Sequence, residues 1–273
     1  MRRTVHVAAA LCAVALLSAV PASAQSDPKV AITGGLDVTN QYNFRGIRQN
    51  TEGVSIWPYV DFGIPAWSGD GALKAITVNL GTWNALHSQL DDNKWYESDL
   101  YATLGFGFSK AVLSLNYTSY TSPGDYFAHV KEFGIKMAFD DSAALGKAAL
   151  KPYALVAFEL DDSGQADAGE SKGTYVELGV APGYAGSKAS IAFPIKVGLS
   201  ASDYYEFGTG EDSAFGYFSI AGIVTVPLGS HWNVHGGAEL QTFGDTLKAY
   251  NGFGDDGDGA AAGLFSIGLG FSF

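Results

Sequence analysis

The residues able to do chemistry are few. His231 and His235 form an H-x-x-x-H pair, a spacing that suits one metal ion on a helix. On a strand the same two residues stand about 13 Å apart, at ~3.3 Å per residue, too far to share an ion. His87 with Asp91 and Asp92 would place a base and two acids in one loop, yet no serine or cysteine nucleophile accompanies them in a local motif. Asp255, Asp256 and Asp258 form an acidic, glycine-rich run that suits hard cations, but it lacks the order of an EF-hand loop and its distal glutamate. No cofactor or metal site is implied, and the pattern does not read as an enzyme.

More telling is a set of charged residues on one parity of alternating segments. Asp37, Asp61, Glu97, Asp99, Glu132, Glu159, Glu177 and Glu239 are eight carboxylates against three lysines, Lys136, Lys151 and Lys196. Between them fall outward stretches such as Leu100, Ala102, Leu104, Phe106 and Phe108, or Ile191, Phe193, Ile195, Val197 and Leu199. Period-two alternation means strands with one apolar face and one polar or small face. Charges so placed need water or one another, because desolvating one alone is expensive.

Twelve such segments follow in order, at 30–43, 53–65, 73–86, 95–109, 111–121, 127–140, 149–161, 173–185, 189–202, 214–228, 230–242 and 261–273. Short links at 109–110, 186–188 and 229–230 alternate with long polar ones at 44–52, 87–94, 162–172, 203–213 and 243–260. The last segment carries Phe265, Ile267, Leu269, Phe271 and Phe273 on one face, ending on an aromatic residue. The expected fold class is all-β: a transmembrane antiparallel β-barrel of about 12 strands, of outer-membrane type. Short turns then lie on the periplasmic side with both termini. A soluble sandwich would carry polar residues on its outer faces, and these are apolar. Aromatic residues near strand ends (Tyr42, Trp57, Trp83, Trp95, Tyr96, Tyr120, Tyr184, Trp232) are expected to form the two interfacial girdles.

Composition agrees. The chain has 273 residues, 35 glycines, 36 aromatic residues and 16% charged residues. Residues 1–24 read as a secretory signal, with Arg2 and Arg3, an apolar run from Val7 to Val20 and Ala22-Ser23-Ala24 at the cleavage point. Residues 25–273 would form the barrel domain. Cys12 lies inside the signal, so no disulfide or thiolate site is expected. The 16 basic residues less Arg2 and Arg3 leave 14 against 28 acidic ones, a formal charge of −14 that argues against nucleic acid as a partner.

Three short motifs carry a family resemblance. Tyr42-Asn43-Phe44-Arg45-Gly46-Ile47-Arg48-Gln49, Glu97-Ser98-Asp99-Leu100-Tyr101-Ala102 and Tyr117 to Gly124 (Y-T-S-Y-T-S-P-G) resemble, in order, segments of the TorF-type porins of Proteobacteria. Asn40-Gln41 and Arg48 depart from that pattern, and the second half matches only as a generic barrel. The resemblance implies an outer-membrane porin and brings no known substrate.

The residues thus expected to line a passage are Arg45, Asp61, Glu97, Asp99, Glu132, Lys136, Lys196 and Glu239. An acidic mouth favours cations, which points to a narrow passive channel for small neutral or cationic solutes. The alternative is a non-conducting envelope scaffold, with Lys136 and Lys196 paired to Asp37 or Asp61 across a plugged lumen. Arg45 would either bridge Glu97 and Asp99, drawing its loop across the mouth, or meet a lipopolysaccharide phosphate. The expected partners are outer-membrane lipid and lipopolysaccharide, small solutes, and the barrel-assembly machinery through the strand ending in Phe273.

Overall fold

A computed structural model describes residues 30–50, 52–160, 164–207, 211–252 and 261–273. The expected signal at 1–24 and the acidic run at 255–258 lie outside them. The chain forms a closed antiparallel barrel of twelve strands. They are β1 (Ala31–Thr39), β2 (Ser55–Ser68), β3 (Leu73–His87), β4 (Trp95–Phe108), β5 (Ala111–Thr121) and β6 (Val130–Phe139). Then come β7 (Tyr153–Glu159), β8 (Thr174–Val180, continued by Gly183–Ala185), β9 (Ser190–Ala192 and Ile195–Ser202), β10 (Phe215–Leu228), β11 (Trp232–Phe243) and β12 (Ala261–Ser272). Pro182 and Pro194 mark the interruptions in β8 and β9. Each neighbour pair is consecutive in sequence, and β12 closes on β1 from Thr33↔Ser272 to Thr39↔Ser266. Closure pairs every strand with two neighbours, the condition lipid sets on a spanning sheet.

The wall is apolar outside. Leu100, Ile267 and Phe265 are 63%, 62% and 61% exposed, as expected of side chains that face lipid rather than a protein core. The terminal residue takes part in closure, since Phe273 and Ile32 exchange backbone hydrogen bonds of 2.9 and 3.0 Å. His231, from the preceding turn, stacks on the Phe273 ring at 4.8 Å.

Glycine has a spatial role on the inner wall. Tyr59 pairs with Gly35, Tyr101 with Gly81, Tyr153 with Gly179 and Tyr217 with Gly198. At each pair the tyrosine ring lies over the glycine, where a Cβ would collide with it. Missing side chains thus let bulky rings lie along the wall, a cross-strand device that also holds register.

Two expectations about elements are corrected. The first strand ends at Thr39, and residues Tyr42–Phe44 and Ile47–Asn50 form a separate two-stranded hairpin. Lys151 is not on the inner wall: it sits exposed, at φ 52°, in the long turn between β6 and β7. That turn carries a short helix, α1 (Ser142–Leu145), and a 3-10 turn, Gly146–Ala148. A second short helix, α2 (Asp245–Tyr250), follows β11 at the opposite end of the barrel.

The girdle is also revised. Trp95, Tyr184 and Trp232 are exposed, but Tyr42, Trp57, Trp83, Tyr96 and Tyr120 turn inward and pack together. Tyr42 lies 5.4 Å from Trp57 and 5.3 Å from Trp83, ring centre to ring centre. Tyr96 is brought inside by a bulge between β3 and β4 at Ala85/Leu86, which shifts the alternation by one residue. There it stacks on His87 at 4.3 Å.

Candidate functional site

The site is the half of the lumen away from the chain ends, and the hairpin after β1 fills it. Its turn is Arg45-Gly46, with φ of 50° and 83°. Positive φ at both central residues is what a type I′ two-residue hairpin turn requires. For Arg45, a non-glycine residue, the conformation costs about 1–3 kcal/mol and must be held by its surroundings.

Those surroundings are dense. Arg45 donates to Glu132 through both terminal nitrogens, at 2.6 and 2.8 Å, and to the Tyr204 hydroxyl at 2.8 Å. Its guanidinium lies 4.1 Å from the Tyr175 ring centre. The Tyr205 hydroxyl donates to the Arg45 carbonyl at 3.0 Å, and Asn251, just past α2, donates to the Gly46 carbonyl at 2.8 Å. Asn43 reaches Gln241 on β11 at 3.0 Å. Ile47, Leu247, Tyr204, Tyr205 and Tyr217 pack into one buried cluster. Two segments outside the strands, at 203–207 and 245–251, therefore converge on the hairpin, and Glu132 and Gln241 tie it to different strands of the wall.

Two buried carboxylates, one in a loop and one at the end of β7, are met by backbone donors. Asp167 accepts from the N–H groups of Gly169, Glu206 and Phe207 at 2.8–2.9 Å, while burial pushes its carboxyl above the usual carboxylate range. Glu159 accepts from Ala166 and Gly173, both at 2.7 Å. These bonds fix the loops that close over Arg45.

The expected lining residues divide into groups. Arg45 and Glu132 are brought together, as are Lys196 and Glu239, with 4.0 Å between Nζ and Oε1. Lys136 sits over the Tyr153 ring at 4.4 Å. Asp61 stands apart, accepting from Asn79 at 2.6 Å. Glu97 and Asp99 are buried on β4 beneath the hairpin, away from Arg45's fork. The expected bridge from Arg45 to Glu97 and Asp99 is thus corrected: the hairpin reaches further across, to β6. The expected pairing of the lysines with Asp37 or Asp61 is corrected too. Asp37 is taken by His235 at 2.6 Å, and both lysines face Glu177.

Glu177 is itself ringed by phenols, accepting from Tyr153 and Tyr175 at 2.7 Å and from Tyr217 at 3.0 Å. The histidines hold no common site: His235 is in the lumen and His231 in the turn between β10 and β11. His87 is 2% exposed inside the barrel, whereas Asp91 and Asp92 are exposed outside, so the three do not meet. The tyrosines of the 203–207 segment are the residues sequence reasoning missed. Three aromatic residues in five, in an otherwise polar loop, are the signal that it is buried.

The chain matches no protein-family model and no curated protein. Among solved structures it is similar to a NanC porin, 8% identical over 89% of this chain and 99% of that one, with a TM-score of 0.45. It is also similar to an outer-membrane phospholipase of Salmonella typhi (11% identical, 88% and 90% covered, TM-score 0.46). A third is the translocator domain of the autotransporter NalP from Neisseria meningitidis (13% identical, 91% and 89% covered, TM-score 0.44). These likenesses concern barrel architecture alone.

Proposed function

We propose that this chain is an outer-membrane channel for small cationic or neutral solutes, closed in the present conformation by the hairpin at Tyr42–Asn50. The observation that supports it most is the makeup of the lumen. The inner wall is lined by charged residues, tyrosines and glycines, and the obstruction is a discrete loop held by one ion pair, by polar contacts and by the packing of Tyr42, Phe44 and Ile47. Its polar contacts can be exchanged for water. Acidic residues at the mouth (Glu97, Asp99 and Glu132) would favour cations over anions. The likeness of the early motifs to TorF-type porins supports the same reading, as do the expected export signal and a final strand suited to the barrel-assembly machinery.

Channel recording tests it. The mature protein in a planar bilayer under a potassium chloride gradient should open rarely, and Arg45→Ala should open more often. Replacing residues 42–50 by a short glycine–serine link should give steady, cation-favouring steps. If all three forms are silent, with folding confirmed by heat-modifiable migration on gels, the channel reading fails. A non-conducting scaffold, which the dense packing around Arg45 also suits, would then stand.

A further inference from the structure

Glu97 and Asp99 are two residues apart on β4, so both side chains enter the lumen about 7 Å apart along the strand. Both are buried. Across the sheet their neighbours are Ala85, Trp83 and Tyr120, none of which carries charge. Among the described residues neither carboxylate forms an ion pair with Lys, Arg or His. The buried cation of the hairpin, Arg45, is committed to Glu132.

A second observation concerns the hairpin above them. Tyr42 is 1% exposed, and its hydroxyl is turned to Glu97 and Asp99 without a well-formed hydrogen bond to either. One carboxylate oxygen, Asp99 Oδ1, is also buried without a partner. Two carboxyl groups and a phenol oxygen thus converge in a pocket of aromatic walls, with no cation paired to them among the described residues. Once ionised, such a buried pair needs a counter-charge.

We propose that Glu97, Asp99 and the Tyr42 hydroxyl bind a hard divalent cation, of calcium type, which docks the base of the hairpin onto β4. All the donors are oxygens, and two carboxylates match the ion's charge. Two anionic ligands are fewer than a high-affinity calcium loop provides, so the affinity falls in the weak range, on the order of 0.1–1 mM. The ion would fasten one end of the hairpin while Arg45 and Glu132 fasten the other. This goes beyond the channel reading and does not depend on conduction.

Terbium is the probe, because Trp57 and Trp83 both lie against the Tyr42 ring and can sensitise its luminescence. The mature protein, folded in zwitterionic detergent, should show a saturable terbium signal under tryptophan excitation that calcium displaces. Glu97→Gln and Asp99→Asn should each weaken binding about tenfold or more. Tyr42→Phe, which keeps the ring packing, should weaken it less, and the surface pair Asp91→Asn with Asp92→Asn should leave it unchanged. Folding of each variant is checked by heat-modifiable migration, and Tyr42→Phe keeps the test open if a carboxylate variant misfolds. The proposal is overturned if wild type shows no saturable signal, or if the signal survives in Glu97→Gln, Asp99→Asn and Tyr42→Phe. Conductance is recorded on the same preparations. Terbium binding without conductance sinks the channel alone, and conductance without binding sinks the cation site alone.

Discussion

Arg45, at the turn of a hairpin that leaves the first strand, grips Glu132 on the sixth strand with both terminal guanidinium nitrogens, at 2.6 and 2.8 Å. The side chains are 2% and 8% exposed. Breaking a buried pair by removing one partner typically costs about 3–5 kcal/mol, because the other charge is left uncompensated. Here that figure is an upper bound, since the hairpin can lift away and let the stranded charge meet water. Arg45→Ala and Glu132→Gln should therefore give one phenotype: faster proteolysis within residues 42–50 and little change in barrel melting. The double variant should be no worse than either single one. If the two single effects simply add, the pair is not what holds the hairpin.

The inward turn of the aromatic residues can be read with light. Trp57 is 2% exposed inside the lumen, and Trp83 lies beside it, 5.5 Å ring to ring. Trp67, Trp95 and Trp232 are 46%, 44% and 45% exposed on the outer surface. In single-tryptophan variants reconstituted with brominated lipid, Trp67, Trp95 and Trp232 should be quenched and Trp57 and Trp83 should not. Strong quenching of Trp57 would place it in an interfacial girdle and contradict the packing around Tyr42.

Much of the wall was legible because a barrel strand writes its two faces into alternate positions. Phe265, Ile267 and Leu269 could only face lipid if Gly268 and Ser266 faced inward, and the pairing of β12 with β1 and β11 keeps that parity. The same logic, pressed further, would have placed Trp57 inside: it shares the parity of Asp61, as Trp83 shares that of Asn79. Expecting a girdle from position along the strand outweighed parity, and parity was the better guide. Tyr96 was beyond that reasoning, because a bulge reverses the alternation and leaves no mark of its own in the sequence. The partner of Arg45 was illegible for another reason. Which carboxylate a loop reaches depends on how far the hairpin extends across the lumen. That is set by packing of Ile47 and Leu247 against Tyr204, Tyr205 and Tyr217, contacts between segments far apart in the chain.

The seam where the barrel closes supplies a third prediction. Gly268 on β12 is the register partner of both Asp37 on β1 and His235 on β11. The Asp37–His235 pair crosses directly over it, and a Cβ at Gly268 would strike both Asp37 Oδ1 and His235 Nε2. Gly268→Ala should therefore break the pair and weaken closure, lowering the temperature at which the folded gel band converts to the unfolded one. Gly263→Ala on the same strand is the control, because its Cβ would meet only the Phe265 ring at ordinary contact distance. Equal behaviour of the two variants would refute a spatial role for Gly268.

At the barrel end that carries Ala31 and Phe273, Asp141 organises the long turn between β6 and β7. Its carboxylate accepts from the backbone N–H groups of Lys151 and Leu150, both at 3.0 Å. These bonds, that from Lys151 foremost, hold its carboxyl below the usual carboxylate range. A carboxyl with a depressed folded-state value contributes stability above its unfolded value, about 3.9, and loses it as the pH falls through the folded one. Amide protection at Leu150 and Lys151, expressed against intrinsic exchange rates, should thus be full at neutral pH and fall away only in acid below about pH 4. Asp141→Ala should abolish that protection at neutral pH while leaving barrel melting unchanged, because the group is on the surface and the strands do not depend on it. Protection that survives in Asp141→Ala would show that the 3-10 turn and Lys151's left-handed backbone hold the turn without the carboxylate.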